Sequence, residues 1–433
     1  MKKMRRIFAI VFFAAMSLMV SAQEGAWSGE IEVQGMKLPL VFNFGADGCT
    51  LDSPSQGAKG IKAEKETLED GKIRVKIPMA RAFFEGTMEG QSIKGMFTQN
   101  GMSFPMTLLP GKPKVNRPQT PVAPFPYTTE EVTFSNGDYI FNGTLTLPKN
   151  SDKNTKVVLM VTGSGRQNRD EEVFGHKPFA VIADALAREG IASLRYDDRG
   201  YGDSTIVFSN FTTDDFKQDA EAGLKYLRKR FKRVGVLGHS EGGTIALMLA
   251  GEGMTDFVVS MAGMAISGKE TLLMQNRIGL APLGLAAETV DAYCNALSDA
   301  FDILAAGKSV QEVDRKDVPL MLRQVFEMAM KQADTPFMRH FFSLDIRQQL
   351  PKVKCPVLAM NGKKDMQVDC EKNISALQEG LQKCKPKIVA FDGLNHLFQH
   401  CTTGNAVEYQ QIEETISVDV LKTITEYMKN LVL

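Results

Sequence analysis

Between an apolar run at Val234–Leu237 and a helical run at Gly242–Ala250 the chain reads Gly238-His239-Ser240-Glu241-Gly242, with Gly243 next. Few arrangements constrain a backbone so tightly. A strand that turns straight into a helix holds its turning residue in a strained conformation, and a Cβ two positions to either side would collide, so glycines flank the serine. The turn lifts the serine hydroxyl above the end of the strand. The helix behind it offers unpaired backbone N–H groups and the positive end of its dipole to a developing negative charge.

The surrounding pattern supplies the sheet that such a turn needs. Glu131–Ser135 and Tyr139–Leu147 read as a hairpin about Asn136-Gly137-Asp138, and Val157–Val161 is continuously apolar, as a strand covered on both faces must be. Lys177–Glu189 (helix), Ile191–Tyr196 (strand), Asp214–Arg230 (helix) and Phe257–Met261 (strand) then alternate. Cys355–Met360, Glu371–Leu381, Lys387–Phe391 and Ser417–Leu431 continue the rhythm after an interruption. Alternation of this kind predicts an α/β fold over 128–433, a doubly wound, mainly parallel sheet with helices on both faces. The interruption, residues 264–346, is rich in Met, Leu and Ala, with helical spacing through Met321, Val325 and Met328. It reads as a helical cap over the C-terminal edge of the sheet. Its flexible Met side chains suit the wall of a small to medium apolar pocket, and suit equally the packing of the cap itself.

Residues 23–109 have a different texture. Ile31 and Val33, then Leu38, Leu40, Phe42 and Phe44, then Ile73, Val75 and Ile77 alternate with period two, as do Phe83, Ile93 and Phe97. Asp47-Gly48, Asp70-Gly71, Glu89-Gly90 and Asn100-Gly101 punctuate them as turns. This predicts a small antiparallel β domain, barrel or sandwich. Trp27 and the Phe83-Phe84 pair are either its core or a binding surface. Pro110, Pro113, Pro118, Pro121, Pro124 and Pro126 follow, one third of the chain's 18 prolines, and mark 110–127 as an extended linker.

The first 22 residues have the layout of a secretory signal peptide: Lys2, Lys3, Arg5 and Arg6, an apolar run from Ile7 to Val20, and small residues at Ser21-Ala22. That run is shorter than the ~20 residues a membrane span needs. Export to the periplasm or beyond is therefore expected, with an uncleaved anchor as the alternative and no membrane segment after cleavage. Basic and acidic residues are balanced at 51 each, which argues against a broadly basic nucleic-acid binder, and 43% hydrophobic content excludes disorder. Six cysteines permit disulfides in an oxidising compartment, with Cys370–Cys384 the candidate pair and the rest buried thiols. Gly307-Lys308-Ser309 resembles the tail of a phosphate loop, but Asp302 holds its first glycine position. No spacing of His and Cys suggests a metal, and no cofactor is implied.

A serine in such a turn needs a base, and the base an orienting acid. With the chain order serine, acid, histidine, the histidines after Ser240 are His340, His396 and His400. His396, in the loop Asp392–His396 between the last strand and last helix, is the best placed. Asp365, after the strand ending at Met360, is the acid; Asp369 suits a helix cap. The second wall of an oxyanion hole comes from Thr162-Gly163-Ser164-Gly165, so its donors are the backbone N–H groups of Glu241 and Ser164, with Gly165 as the alternative to Ser164. The charged run Asp197-Asp198-Arg199, with Arg166, Arg169 and Asp170, reads as bracing for these loops.

These pieces, with Arg195-Tyr196-Asp197-Asp198-Arg199-Gly200, Gly362–Asp365 and Asn395-His396, occur in order through about 300 residues, and over them the chain resembles an α/β-hydrolase. It is similar to bacterial serine carboxylesterases with a β-rich domain ahead of the catalytic one, and related to serine aminopeptidases and prolyl-oligopeptidase-like hydrolases. The resemblance implies ester hydrolysis through an acyl-enzyme, without a cofactor, on a small-molecule or polymer-linked ester. A peptidase or amidase using the same three residues is the rival reading, and a glycan- or lipid-binding protein with an inert hydrolase domain is another. Every proposed catalytic residue follows Thr162. Removal of the β domain, leaving 127–433, is therefore expected to keep turnover of a small chromogenic ester within about tenfold of the intact chain, about 1.4 kcal/mol in the barrier. A folded fragment inactive on all small esters would contradict this.

Overall fold

The computed structural model describes residues 24–33, 36–45, 48–53, 58–111, 116–203 and 205–432. The expected signal peptide lies outside the described residues. The chain divides into two compact units, the second beginning at Arg117.

The first unit is a barrel rather than a sandwich. Eight antiparallel strands close on themselves: β1 (Gly25–Val33), β2 (Met36–Gly45), β3 (Gly48–Ser53), β4 (Ala58–Thr67), β5 (Ile73–Ile77), β6 (Ala82–Glu89), β7 (Ser92–Gln99) and β8 (Met102–Pro110). The seam is the pairing of Trp27 with Pro110 and Ser28 with Leu109. A barrel of eight strands is just wide enough for side chains to fill. Trp27, Phe42, Phe84, Ile93 and Leu108 fill it, so Trp27 is core and not a binding surface. The expected face of β6 is reversed. Phe84, opposite Phe97, points inward and is fully buried, whereas Phe83 stands outside with Arg74 near its ring. Two adjacent aromatics both satisfy a period of two, and Ala82 and Phe84 take the inner side.

The second unit is built on an eight-stranded sheet ordered β16-β15-β14-β13-β11-β12-β10-β9. Its strands are β9 (Thr128–Asn136), β10 (Tyr139–Leu147), β11 (Lys156–Val161), β12 (Ala192–Tyr196), β13 (Arg233–His239), β14 (Val258–Met261), β15 (Val357–Gly362) and β16 (Lys387–Phe391). The six from β11 to β16 run parallel; β9 and β10 are antiparallel. Helices α1 (Pro178–Arg188) and α9 (Val418–Asn430) cover one face, and α2 (Thr213–Arg228), α3 (Glu241–Gly251) and α8 (Cys370–Gly380) the other, each over its own apolar core. From β11 the chain goes to β12 on one side and afterwards to β13 on the other. The loops leaving β11 and β13 thus part at their carboxyl ends, which opens a crevice where such sheets bind ligands.

The stretch 264–346 forms helices α4 (Gly268–Leu280), α5 (Ala287–Ala305), α6 (Arg323–Ala333) and α7 (Pro336–Ser343), packed around Tyr293, Leu297, Phe301 and Phe326. The proline-rich segment is not a free linker throughout. Arg117 donates to the carbonyls of Phe174, Gln410 and Ile412, and Gln119 exchanges hydrogen bonds with Thr415 and Ile416, so 117–127 belongs to the second unit. All six cysteines are free thiols. Cys370 and Cys384 are not bridged; Cys384 lies near Cys355, whose thiol is pushed up to about 12, by burial above all and by the Cys384 charge in addition.

The expected brace is present. Arg199 makes a two-pronged pair with Asp219, Nη2 to Oδ1 at 2.6 Å and Nε to Oδ2 at 2.9 Å, both side chains buried. Its guanidinium lies 4.2 Å and 4.7 Å from the ring centres of Tyr139 and Phe211, and Asn136 donates to the same carboxylate. This ties the β9–β10 hairpin to α2. Removing one partner leaves the other charge buried, so Arg199→Ala should destabilise the second unit by about 3–5 kcal/mol in urea denaturation. Arg199→Lys should recover only part, because an ammonium can neither fork nor stack.

Candidate active site

Ser240 has φ 54° and ψ −121°, between the end of β13 and the start of α3. Left-handed φ in a residue with a side chain is strained, and such strain gathers at functional sites. The turn is held by its own bonds: Ser240 N–H donates to Met261 O at 2.8 Å, and its carbonyl accepts from Gly243 and Thr244. The glycine requirement is steric. A Cβ on Gly238 would stand 2.0 Å from the Gly242 carbonyl oxygen, and one on Gly242 2.0 Å from that of Val161.

His396 and Asp365 meet in the crevice. Asp365 follows β15. Its Oδ1 accepts from the N–H groups of Gln367 and Val368 at 2.8 and 2.9 Å, and its Oδ2 lies 2.7 Å from His396 Nδ1. A carboxylate can only accept, so Nδ1 carries the ring proton and Nε2 keeps its lone pair. The loop bearing His396 is shaped by buried Asn395, whose Oδ1 accepts from the N–H groups of Leu397 and Gln399. His400 is instead exposed and paired with Glu414, Asp369 caps α8 through Lys372 N–H, and His340 lies on α7.

Ser240, His396, Ser164 and Glu241 line one pocket of about 370 Å³. The cap contributes Leu272, Phe337 and Phe341 to it, and Gln167, Gln275, Gln367 and Tyr409 supply polar atoms. On the loop after β11, the Gly163 N–H donates to Glu171 Oε1 at 2.7 Å. The Ser164 hydroxyl bonds the Glu241 carboxyl, which also accepts from Thr213 Oγ1 at 2.6 Å and which burial pushes up. Asp198 accepts from Thr162 Oγ1 and Gln167 N–H, both at 2.7 Å, and fixes this loop from below. Burial above all raises its carboxyl well past the usual range. Asp197 holds Arg169, and Asp170 holds Arg195. Among the described residues no cluster of His, Cys, Asp or Glu is placed to hold a metal, and no helix is long and apolar enough to cross a membrane.

The model of the serine aminopeptidase S33 family matches residues 176–400, more than half of the chain. The chain belongs to that family of α/β-hydrolases. The matched stretch holds Ser240, Asp365 and His396 but begins after the 162–171 loop. Esterase EstD of Thermotoga maritima is 29% identical over 262 residues, which is 59% of this chain and 57% of EstD; the match thus spans little more than half of that relative. Est1E from Butyrivibrio proteoclasticus aligns at TM-score 0.42 and 15% identity, over 69% of this chain and 97% of its own. The proline iminopeptidase of Mycobacterium smegmatis aligns at TM-score 0.42 and 18% identity, over 69% and 97%.

Two further contacts were not legible in the sequence. His239 and Glu171 form a buried pair beneath Ser240. Behind the His396 loop, His176 is fully buried, with Nδ1 3.0 Å from Thr415 Oγ1 and Nε2 2.8 Å from Tyr409 O. Neither a glycine pattern nor chain order marks such residues; only the fold brings their partners to them. Burial above all lowers the His176 pKa from 6.5 to about 4. Below pH 6.5 the unfolded chain takes up a proton that the folded chain refuses, so stability falls with pH until about pH 4, by up to roughly 3 kcal/mol. His176→Gln should make the slope of unfolding free energy against pH shallower across that window; an unchanged slope would contradict the assignment.

Proposed function

We propose that this chain is an exported serine carboxylesterase that works through an acyl-enzyme. The observation that carries the reading is the 2.7 Å contact between His396 Nδ1 and Asp365 Oδ2 on the pocket that Ser240 also lines. His396 Nε2, free to accept, takes the proton from Ser240 Oγ as that oxygen attacks the ester carbonyl. Asp365 holds the ring in the tautomer that makes this possible and stabilises the imidazolium that forms. The Glu241 N–H, first of α3, and the Ser164 N–H are the donors assigned to the oxyanion, since the Gly163 N–H is already committed to Glu171. The imidazolium returns its proton to the departing alcohol. Water, activated by the same Nε2, then releases the acid.

The pocket's 370 Å³ and its Leu272, Phe337 and Phe341 wall suit a small to medium acyl group. Kinship with an esterase supports the ester reading, and the residue 1–22 leader pattern supports export. The family's description favours a second reading, cleavage of peptides or amides by the same residues. An inert hydrolase is disfavoured by the bonded His396–Asp365 pair. Ser240→Ala should lower kcat on a p-nitrophenyl ester by on the order of 10⁶ while circular dichroism stays unchanged. Activity within tenfold of the parent would remove Ser240 from its role. A panel of acetyl, butyryl, feruloyl and aminoacyl substrates separates ester from amide specificity.

A further inference from the structure

We propose that Glu171 and His239 share a buried proton and act together as a positioning device, holding the oxyanion loop and the His396 loop in register with Ser240. The inference rests on the triad reading above and concerns residues that lie outside the triad.

The argument begins with proton counting. His239 Nε2 lies 2.9 Å from the backbone carbonyl oxygen of His396, and Nδ1 lies 2.9 Å from Glu171 Oε1. A carbonyl only accepts, so Nε2 carries a proton. The second contact needs another, on Nδ1 or on Oε1, because a neutral imidazole has one N–H and a carboxylate has none. The pair therefore holds one proton more than a neutral histidine beside an ionised carboxylate. The electrostatics agree. Burial alone would depress the His239 pKa, but the charge and hydrogen bond of Glu171, the His396 carbonyl and the charge of Asp365 raise it on balance.

The pair is costly to build. Glu171 sits at φ 52°, pinned by its N–H to Asn168 O, while Asn168 Oδ1 accepts from Asp170 and Glu172 N–H. Its Oε2 is buried with no hydrogen-bond partner among the described residues. A left-handed backbone strains a residue that carries a side chain, and a buried acceptor without a donor loses the hydrogen bonds it had in water. Neither feature is what a purely stabilising contact would contain.

What the pair does follows from the groups it touches. Through Gly163 N–H it fixes the peptide ahead of Ser164; through the His396 carbonyl it fixes the loop of the base; and His239 is itself the residue before Ser240. Three elements that share no regular structure are thus tied to one carboxyl and one imidazole. The His239 and His396 ring centres are 4.7 Å apart. Burial raises the carboxyls of the other buried acids nearby, Asp198 and Glu241.

Glu171→Gln and His239→Gln in the full chain test this. Both remove the extra proton and keep a polar side chain of similar size. A small misplacement of reacting groups costs on the order of 10²-fold in rate. We expect kcat on a small chromogenic ester to fall by about that factor in each variant, with KM nearly unchanged. A merely structural contact would leave kcat in place in variants that stay folded. Folded variants with kcat within threefold of the parent overturn the proposal. Should neither variant fold, nitrogen NMR of histidine-labelled wild-type protein decides. Above the ordinary titration range of histidine, His239 must show protons at both contacts, and a single ring N–H with Glu171 ionised overturns the proposal. That measurement needs no turnover. A wild type without esterase activity would therefore refute the function reading alone and leave the pair to be judged by its protons.

Discussion

Everything at the crevice depends on how closely the end of β11 approaches the turn after β13. The Val161 carbonyl lies where any side chain on residue 242 would begin, and the Gly242 carbonyl lies where one on residue 238 would begin. The helix that leaves the turn can start this close to the end of β11 only because residue 242 carries no side chain. The same closeness brings the 162–165 loop beside Ser240, with the Cβ position of Gly163 just 3.1 Å from the serine Cβ. The donors assigned to the oxyanion, one from each loop, are neighbours for that reason, and the bond from the Ser164 hydroxyl to the Glu241 carboxyl joins the same two loops.

Much of this was legible in the sequence, and the reasons are local. Ser240, Asp365 and His396 follow β13, β15 and β16 in the chain order that the resemblance implies, and each is announced by a glycine turn or an Asn-His step. The alternation of apolar runs marked the parallel strands because strands buried on both faces tolerate little else. Failures arose where a pattern had two solutions or none. Phe83 and Phe84 both fit a period of two. Cysteine spacing carries no strand register, so it nominated Cys370 for Cys384, and the structure leaves both as free thiols. His239 and Glu171 are 68 residues apart, and each looks like an ordinary polar residue until the fold joins them.

The barrel and the sheet solve the burial problem differently. In the barrel one face of each strand suffices, and Phe42, Phe84 and their neighbours pack the interior. In the sheet both faces are covered, so the open ground lies at the carboxyl ends, where the cap helices close over it. The proposed chemistry sits at those carboxyl ends, in the pocket that Ser240 and His396 line.

The segment that follows His396, from Gly404 to Ser417, holds little regular structure beyond the short turn at Ala406–Glu408. Its shape comes from hooks elsewhere: Arg117 on the carbonyls of Gln410 and Ile412, Gln119 on Thr415 and Ile416, and His176 on Tyr409 and Thr415. The piece of gene that must travel with the hydrolase therefore starts some ten codons ahead of its first strand. A domain shuffled in evolution, or grafted by an engineer, at the start of β9 would keep every residue assigned to the chemistry. It would lose the two side chains that lash down the segment after the histidine loop, and the module's true edge is Arg117.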